Sequence, residues 1–241
     1  MSFRVERVGG AALAALRAGP ANVFATFERS CYVETKAGIA CLGTEIGLGP
    51  LNVIVEEGFA VPSTGTAVSL DLDSARVWNP PAPGIVHAFP KTKIPESIEK
   101  PARAFLAWIA GTGKPDYSLI GLGPGLTPAG DDFVGGAMIA LRAFGHAQLA
   151  DRVAAWALPL AKERTNRISR AHLECAAAGE GHEALHGLLT FKETEKHLAR
   201  LARIGHTSGL DAAAGALLAL ASVWRPHGDS NPGSHRERVV S

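Results

Sequence analysis

The chain reads as an α+β protein: an N-terminal antiparallel β barrel or sandwich followed by a mainly α-helical region. Two observations carry this. Short alternating apolar runs with Gly or Pro between them fill the first third, and Ala/Leu-rich stretches of 3.6-residue period fill the rest. A proline-rich break at Asn79-Pro80-Pro81-Ala82-Pro83-Gly84 separates the two patterns.

Taken in order, Arg4 and Arg7 precede an apolar run over 8–16, but Glu6 interrupts the basic stretch and no small-x-small site follows. The run therefore reads as a short first helix of a cytoplasmic protein. Strands are expected at 22–28, 31–35, 39–42, 51–56 and 66–71, with a Lys36-Ala37-Gly38 turn between the second and third. The expected divisions are a β-rich domain over 1–80, a connection over 81–94, a helical domain over 95–225 and a disordered tail over 226–241. Helices are expected at 95–110, 132–144, 151–163, 169–178, 191–204 and 211–224.

Composition excludes several classes. Of 241 residues 46% are hydrophobic and 20% charged, which is globular. Lys+Arg total 24 and Asp+Glu 23, so no basic footprint for nucleic acid exists. The longest apolar stretch, 212–221, is half the length of a membrane span. Three cysteines without a Cys-x-x-Cys pair imply neither a disulfide framework nor a zinc ribbon.

The segment Gly121-Leu122-Gly123-Pro124-Gly125-Leu126-Thr127-Pro128-Ala129-Gly130-Asp131-Asp132-Phe133 carries the functional reading. A glycine-rich loop leads into a helix, so free amides and the helix dipole favour an anion there. Capping explains one Asp but not four glycines and two prolines in ten residues. It is not a Rossmann loop, because position 126 is Leu. Nor is it a P-loop, because Asp131-Asp132 stand where Lys-Ser/Thr belongs.

A second segment, Gly205-His206-Thr207-Ser208-Gly209-Leu210-Asp211 through Gly215, repeats the frame G-x-T-x-x-x-D-x-x-x-G. Small residues in both first helical turns allow close approach. The expectation is one shared site in which Asp131 and Asp211 face a common ligand, Asp131 being the inward carboxylate rather than Asp132. His206 is the candidate acid/base. Gly121, Gly123, Gly125, Thr127, Gly130, Asp132, Thr207 and Ser208 are the candidate ligand contacts. Two facing carboxylates call for a donor-bearing ligand or, as the other occupant, a divalent cation such as Mg²⁺ held by Asp131 and Asp211.

GLGPGLTPAGDDF, together with RISRAHLECAAAG (167–179) and IGHTSGLDAAAG (204–215), resembles the H subunit of the oxamate carbamoyltransferase of anaerobic allantoin breakdown. The likeness extends to the Leu48-Gly49-Pro50-Leu51 segment of the β-rich part. The resemblance implies carbamoyl transfer between carbamoyl phosphate and oxamate, or a related small carboxylate, in a complex with two other subunits. It leaves open a non-catalytic assembly subunit that closes a partner's active site. The Ser-Thr-Arg-Thr loop of better-known transcarbamoylases is missing; only Ser63-Thr64-Gly65-Thr66 resembles it. Arg164, Arg167 and Arg170 are the nearest cations, and the plainer reading makes them a solvated helix edge.

His182-Glu183-Ala184-Leu185-His186 matches the zinc metallopeptidase pattern. Gly179 and Gly181 just before it break a helix, and no third ligand follows, so a metallopeptidase is the least favoured reading. Ser169 is read as a helix N-cap, and Trp108, Trp156 and Trp224 as helix core residues.

Overall fold

A computed structural model describes residues 2–224; the tail expected over 226–241 lies outside them. The first part is a barrel. Its strands are β1 (Ser2–Val8), β2 (Ala21–Thr26), β3 (Ser30–Thr35), β4 (Gly38–Gly43), β5 (Asn52–Val55) and β6 (Ala67–Asp71). They run in the order β5-β4-β3-β2-β6-β1, and pairing of β1 with β5 closes the ring. A two-residue strand, β7 (Arg76–Val77), extends along β1 beyond β6. Val5, Val8, Val23, Cys31, Val33, Leu42, Val53 and Val68 fill the interior, joined by Ala12 and Leu16 of helix α1 (Gly10–Arg17).

The expectation of an antiparallel sheet needs one correction. β4–β5, β1–β6 and β1–β7 are parallel, so the barrel is mixed. Alternation along a strand records which side chains face inward, not the direction of its neighbour. The crossover over 44–51 makes β4 and β5 parallel, as a tight hairpin cannot. Strand β1 was not expected at all. A register irregularity between Val5 and Arg7 places its buried residues, Val5 and Val8, three apart, which mimics helical spacing.

The helices are α2 (Glu99–Ile109), α3 (Ala129–Ala143), α4 (Ala147–Arg164), α5 (Arg167–Ala177), α6 (Glu183–Leu188), α7 (Thr194–Leu201) and α8 (Ser208–Val223). α3 is the central one, with Phe133, Val134, Ala137, Met138, Ala140 and Leu141 fully buried against its neighbours. The short α6 falls between the helices expected at 169–178 and 191–204. No helix among the described residues is long and apolar enough to cross a membrane. All three cysteines are buried, free thiols.

Barrel and helices meet along a polar seam. The amide of Glu183 donates to the Leu48 carbonyl at 2.7 Å, Tyr32 Oη and His172 Nε2 lie 3.5 Å apart, and Arg167 pairs with Glu34 while stacking on Phe24. The proline-rich segment lies across the same seam: the Gly84 amide donates to the Leu189 carbonyl at 3.0 Å, and Trp78 packs edge-on against His186.

Candidate functional site

The glycine-rich loop begins after buried Leu119 and Ile120. Gly121 has φ +77°, and a Cβ there would overlap the Arg164 carbonyl; a Cβ on Gly130 would overlap the Leu119 carbonyl. Only glycine permits both approaches, so the loop folds back on its own stem. Asp131, 2% exposed, holds that return in place. Its Oδ1 accepts the Gly121 amide at 2.7 Å and its Oδ2 accepts the Ser169 hydroxyl at 2.6 Å. Asn166 caps α5 through the Ile168 and Ser169 amides and donates Nδ2–H to the Leu126 carbonyl at 2.7 Å. The loop is thereby anchored to the start of α5. Ser169 is not the cap that the sequence suggested; Asn166 fills that role.

The second loop meets the first at the helix N-termini, where the Thr127 and Ser208 hydroxyls lie 2.7 Å apart. From there α3 and α8 pack backbone to backbone. A Cβ on Gly136 would overlap the Ala212 carbonyl, and one on Gly215 would overlap the Phe133 carbonyl. These reciprocal contacts make Gly136 the counterpart of Gly215, Phe133 that of Ala212, and Asp132 that of Asp211. The N-caps, Pro128 and Thr207, follow the same correspondence.

That register corrects the expected pairing by one residue. Gly135, one turn beyond Asp131, faces Ala176 and Leu173 of α5, so the Asp131 face of α3 points to α5. Asp132 points to α8 and feels the charge of Asp211. Asp131, with both oxygens bonded to donors, is a tie inside the loop.

Asp132 and Asp211 are poorly satisfied carboxylates. Asp211 is 4% exposed, and Oδ2 of each is sealed from solvent without a hydrogen-bond partner. Burial pushes the Asp132 carboxyl well above the usual carboxylate range. The Ser208 and Thr127 hydroxyls oppose that shift, and the charges of Asp211 and Asp131 add to it. Burial also raises Asp211, offset by the Thr207 hydroxyl. Two like-charged groups at the helix mouths, Asp211 buried and Asp132 half-buried, are therefore poised to take a proton, a cation or hydrogen-bond donors. Among the described residues no group of three or more His, Cys, Asp or Glu stands ready to hold a metal. Mg²⁺ at Asp132 and Asp211 would need further oxygens from a ligand.

A stability consequence follows. A carboxyl whose pKa is raised by folding stabilises the native state at low pH and loses that contribution as pH rises from the unfolded value through the folded one. Asp132→Asn is expected to raise stability by about 1–2 kcal/mol at pH 8, with a smaller gain at pH 5. Thermal melts at both pH values check this. A variant that melts lower than wild type at pH 8 refutes it.

The remaining candidates sit around this centre. Gly125, His206 and Thr207 are exposed, and Gly123 lies partly buried against the Ala129 amide. The three arginines are committed elsewhere. Arg164 donates to the Tyr117 carbonyl at 2.9 Å, Arg167 is held by Glu34, and Arg170 pairs with Glu174. The zinc pattern is accounted for by capping: His182 Nδ1 accepts the Ala184 amide at 3.0 Å as the cap of α6, and His186 Nε2 accepts the Gly181 amide at 3.1 Å. Sequence reasoning did not single out Asn166, although Asn before a helical run signals a cap. It also missed the Tyr32–His172 contact, which no local pattern announces.

No curated protein and no solved structure matches the chain significantly. Residues 119–220, which contain the glycine-rich loop, Asn166, Ser169 and both facing carboxylates, match the model of the oxamate carbamoyltransferase subunit AllH family, the family that the motifs resemble.

Proposed function

We propose that the chain acts as a subunit of an oxamate carbamoyltransferase-like complex. That complex would move a carbamoyl group between carbamoyl phosphate and oxamate or a related small carboxylate. The observation that carries the reading is the coincidence of the family match with the segment that assembles Thr127, Asp132, Ser208 and Asp211.

In the forward step the acceptor's amide nitrogen attacks the carbamoyl carbon, the C–O bond to phosphate breaks, and the nitrogen loses a proton. An amide nitrogen is a weak nucleophile because its lone pair is delocalised. A buried carboxylate that accepts the N–H proton as the C–N bond forms suits that demand. The polarised amides at two helix N-termini suit the anionic ends of the substrates through the helix dipoles, since those of Gly130, Asp131, Gly209 and Leu210 are bonded to loop carbonyls. Phosphate needs more positive charge than these amides supply, and Arg164, Arg167 and Arg170 are engaged with other groups. The apolar rim of exposed Tyr117 (61%), Leu126 (44%) and Leu210 (43%) beside the loops fits a protein partner that supplies it.

The test is turnover of carbamoyl phosphate and oxamate by the isolated chain and by the complex purified with its natural partners. The isolated chain is expected to be inactive and the complex active, with Asp211→Asn lowering kcat about 100-fold or more. A complex without carbamoyl transfer overturns the reading. Full activity of the isolated chain removes the partner from it.

A further inference from the structure

Resting on that functional reading, we infer that Asp132 and Asp211 act as one unit holding a single proton, and that this carboxyl–carboxylate pair recognises an uncharged primary amide group. The argument begins with the packing. Gly136 and Gly215 let α3 and α8 touch backbone to backbone one turn beyond Asp132 and Asp211, which occupy matching positions at the two helix mouths. Each keeps one oxygen sealed from water and without a protein partner. Among buried polar groups such orphans are uncommon and signal a missing partner.

The partner's chemistry follows from the donors and acceptors on offer. A carboxylate accepts and a carboxyl both donates and accepts, so a singly protonated pair presents one O–H and one acceptor oxygen side by side. A primary amide presents the complementary set, N–H donors beside a carbonyl acceptor. A ligand carboxylate has no hydrogen to give and brings a second negative charge against that of the pair. The remaining titratable groups nearby leave this assignment intact. Asp131 is occupied by Gly121 and Ser169, and Tyr32 of β3, whose phenol is held protonated by burial, lies against His172. Thr127 and Ser208 bond to each other within reach of Asp132, and Thr207 offers its hydroxyl to Asp211. The positions are not equivalent: the Thr127 and Ser208 hydroxyls beside Asp132 bond to each other, whereas Thr207 offers its hydroxyl to Asp211, so the proton is placed on Asp132 and Asp211 is the acceptor.

Two measurements on the full chain and on its complex test this. Difference infrared spectra between wild type and Asp132→Asn are expected to show one protonated carboxyl in wild type near pH 7. Its absence overturns the shared proton. Calorimetric titration with oxamate and with oxalate, which has a carboxylate in place of the amide, is expected to favour oxamate at least 30-fold, with affinity falling as pH rises. Asp132→Asn, which imitates the protonated partner, is expected to stay within about 10-fold of wild type and lose the pH dependence. Asp211→Asn is expected to lose at least 100-fold. Equal binding of oxalate, or retained oxamate binding in Asp211→Asn, overturns the proposal, as does failure of both chain and complex to bind oxamate. Carbamoyl transfer that persists in Asp211→Asn sinks this inference alone, whereas amide recognition without transfer sinks the functional reading alone.

Discussion

Gly215→Ala and Gly136→Ala are each expected to destabilise the protein by about 3 kcal/mol or more, although alanine in an exposed helix interior stabilises by about 1 kcal/mol over glycine. The reversal comes from what the new methyl group meets. At Gly215 it would overlap the carbonyl of Phe133, and at Gly136 the carbonyl of Ala212. Both obstacles are backbone inside close-packed helices, so no rotamer change relieves them and the helices must separate. Gly135→Ala is the control. Its methyl group would sit 3.6 Å from the Ala176 Cβ, an ordinary contact, so the substitution should be neutral or mildly stabilising. Denaturant unfolding of the three variants decides the matter. Wild-type stability in Gly215→Ala would show that α3 and α8 do not touch at this point. The same substitutions should also weaken ligand binding, because separating the helices parts Asp132 from Asp211.

The sequence made the helix-mouth site legible as a pair of loops but not as a register. The G-x-T-x-x-x-D-x-x-x-G frame found both loop–helix units correctly. Within the first unit, however, Asp131 and Asp132 are each followed by glycine four residues on, at Gly135 and Gly136. Only the Asp-to-Gly step is duplicated: the frame shifted by one residue would need Gly and Thr where Leu126 and Pro128 stand, so spacing alone selects Asp131 and misses Asp132. The choice is tertiary. It depends on α5 lying on one side of α3 and α8 on the other, so that Ser169 captures Asp131 and leaves Asp132 for Asp211. The barrel followed the same division. Alternation located five of its strands, whereas β1 was hidden by the irregularity that spaces Val5 from Val8, and the parallel pairing of β4 with β5 depends on a crossover that alternation does not encode. The His182–His186 pattern has a structural use, since both rings accept backbone amides at the start of α6. What the sequence did not give was that use, a histidine side chain capping α6.

Acidification from pH 7.5 to 5 is expected to destabilise the seam between barrel and helices, and the histidines are the reason. Burial pushes His172, His182 and His186 each down to about 4. The charge of His182 adds to the shift at His172 and His186. At His182 itself Glu183 and the Ile46 backbone work against the shift, whereas Arg200 adds to it. All three are neutral in the folded protein over this range, whereas in the unfolded chain they take up protons near 6.5. For a base whose folded pKa is depressed, the unfolded state binds more protons between the two values. Stability is therefore complete above about 6.5 and falls as pH drops toward 4. Each histidine held neutral against its full shift accounts for at most about 3 kcal/mol, so three together rival the usual total stability of a domain. Asp132 and Asp211 act in the opposite sense, since their raised values stabilise the fold as pH falls, and they offset part of the loss. The local cause is plain at His182 and His186. Both ring nitrogens accept a backbone amide, from Ala184 and Gly181, and a protonated imidazole accepts nothing. His182→Asn supplies a cap that does not titrate. Unfolding free energies at pH 7.5 and 5 are expected to differ by several kcal/mol in wild type and by clearly less in His182→Asn. Equal values for wild type at the two pH values would mean that these rings are not held neutral by the fold.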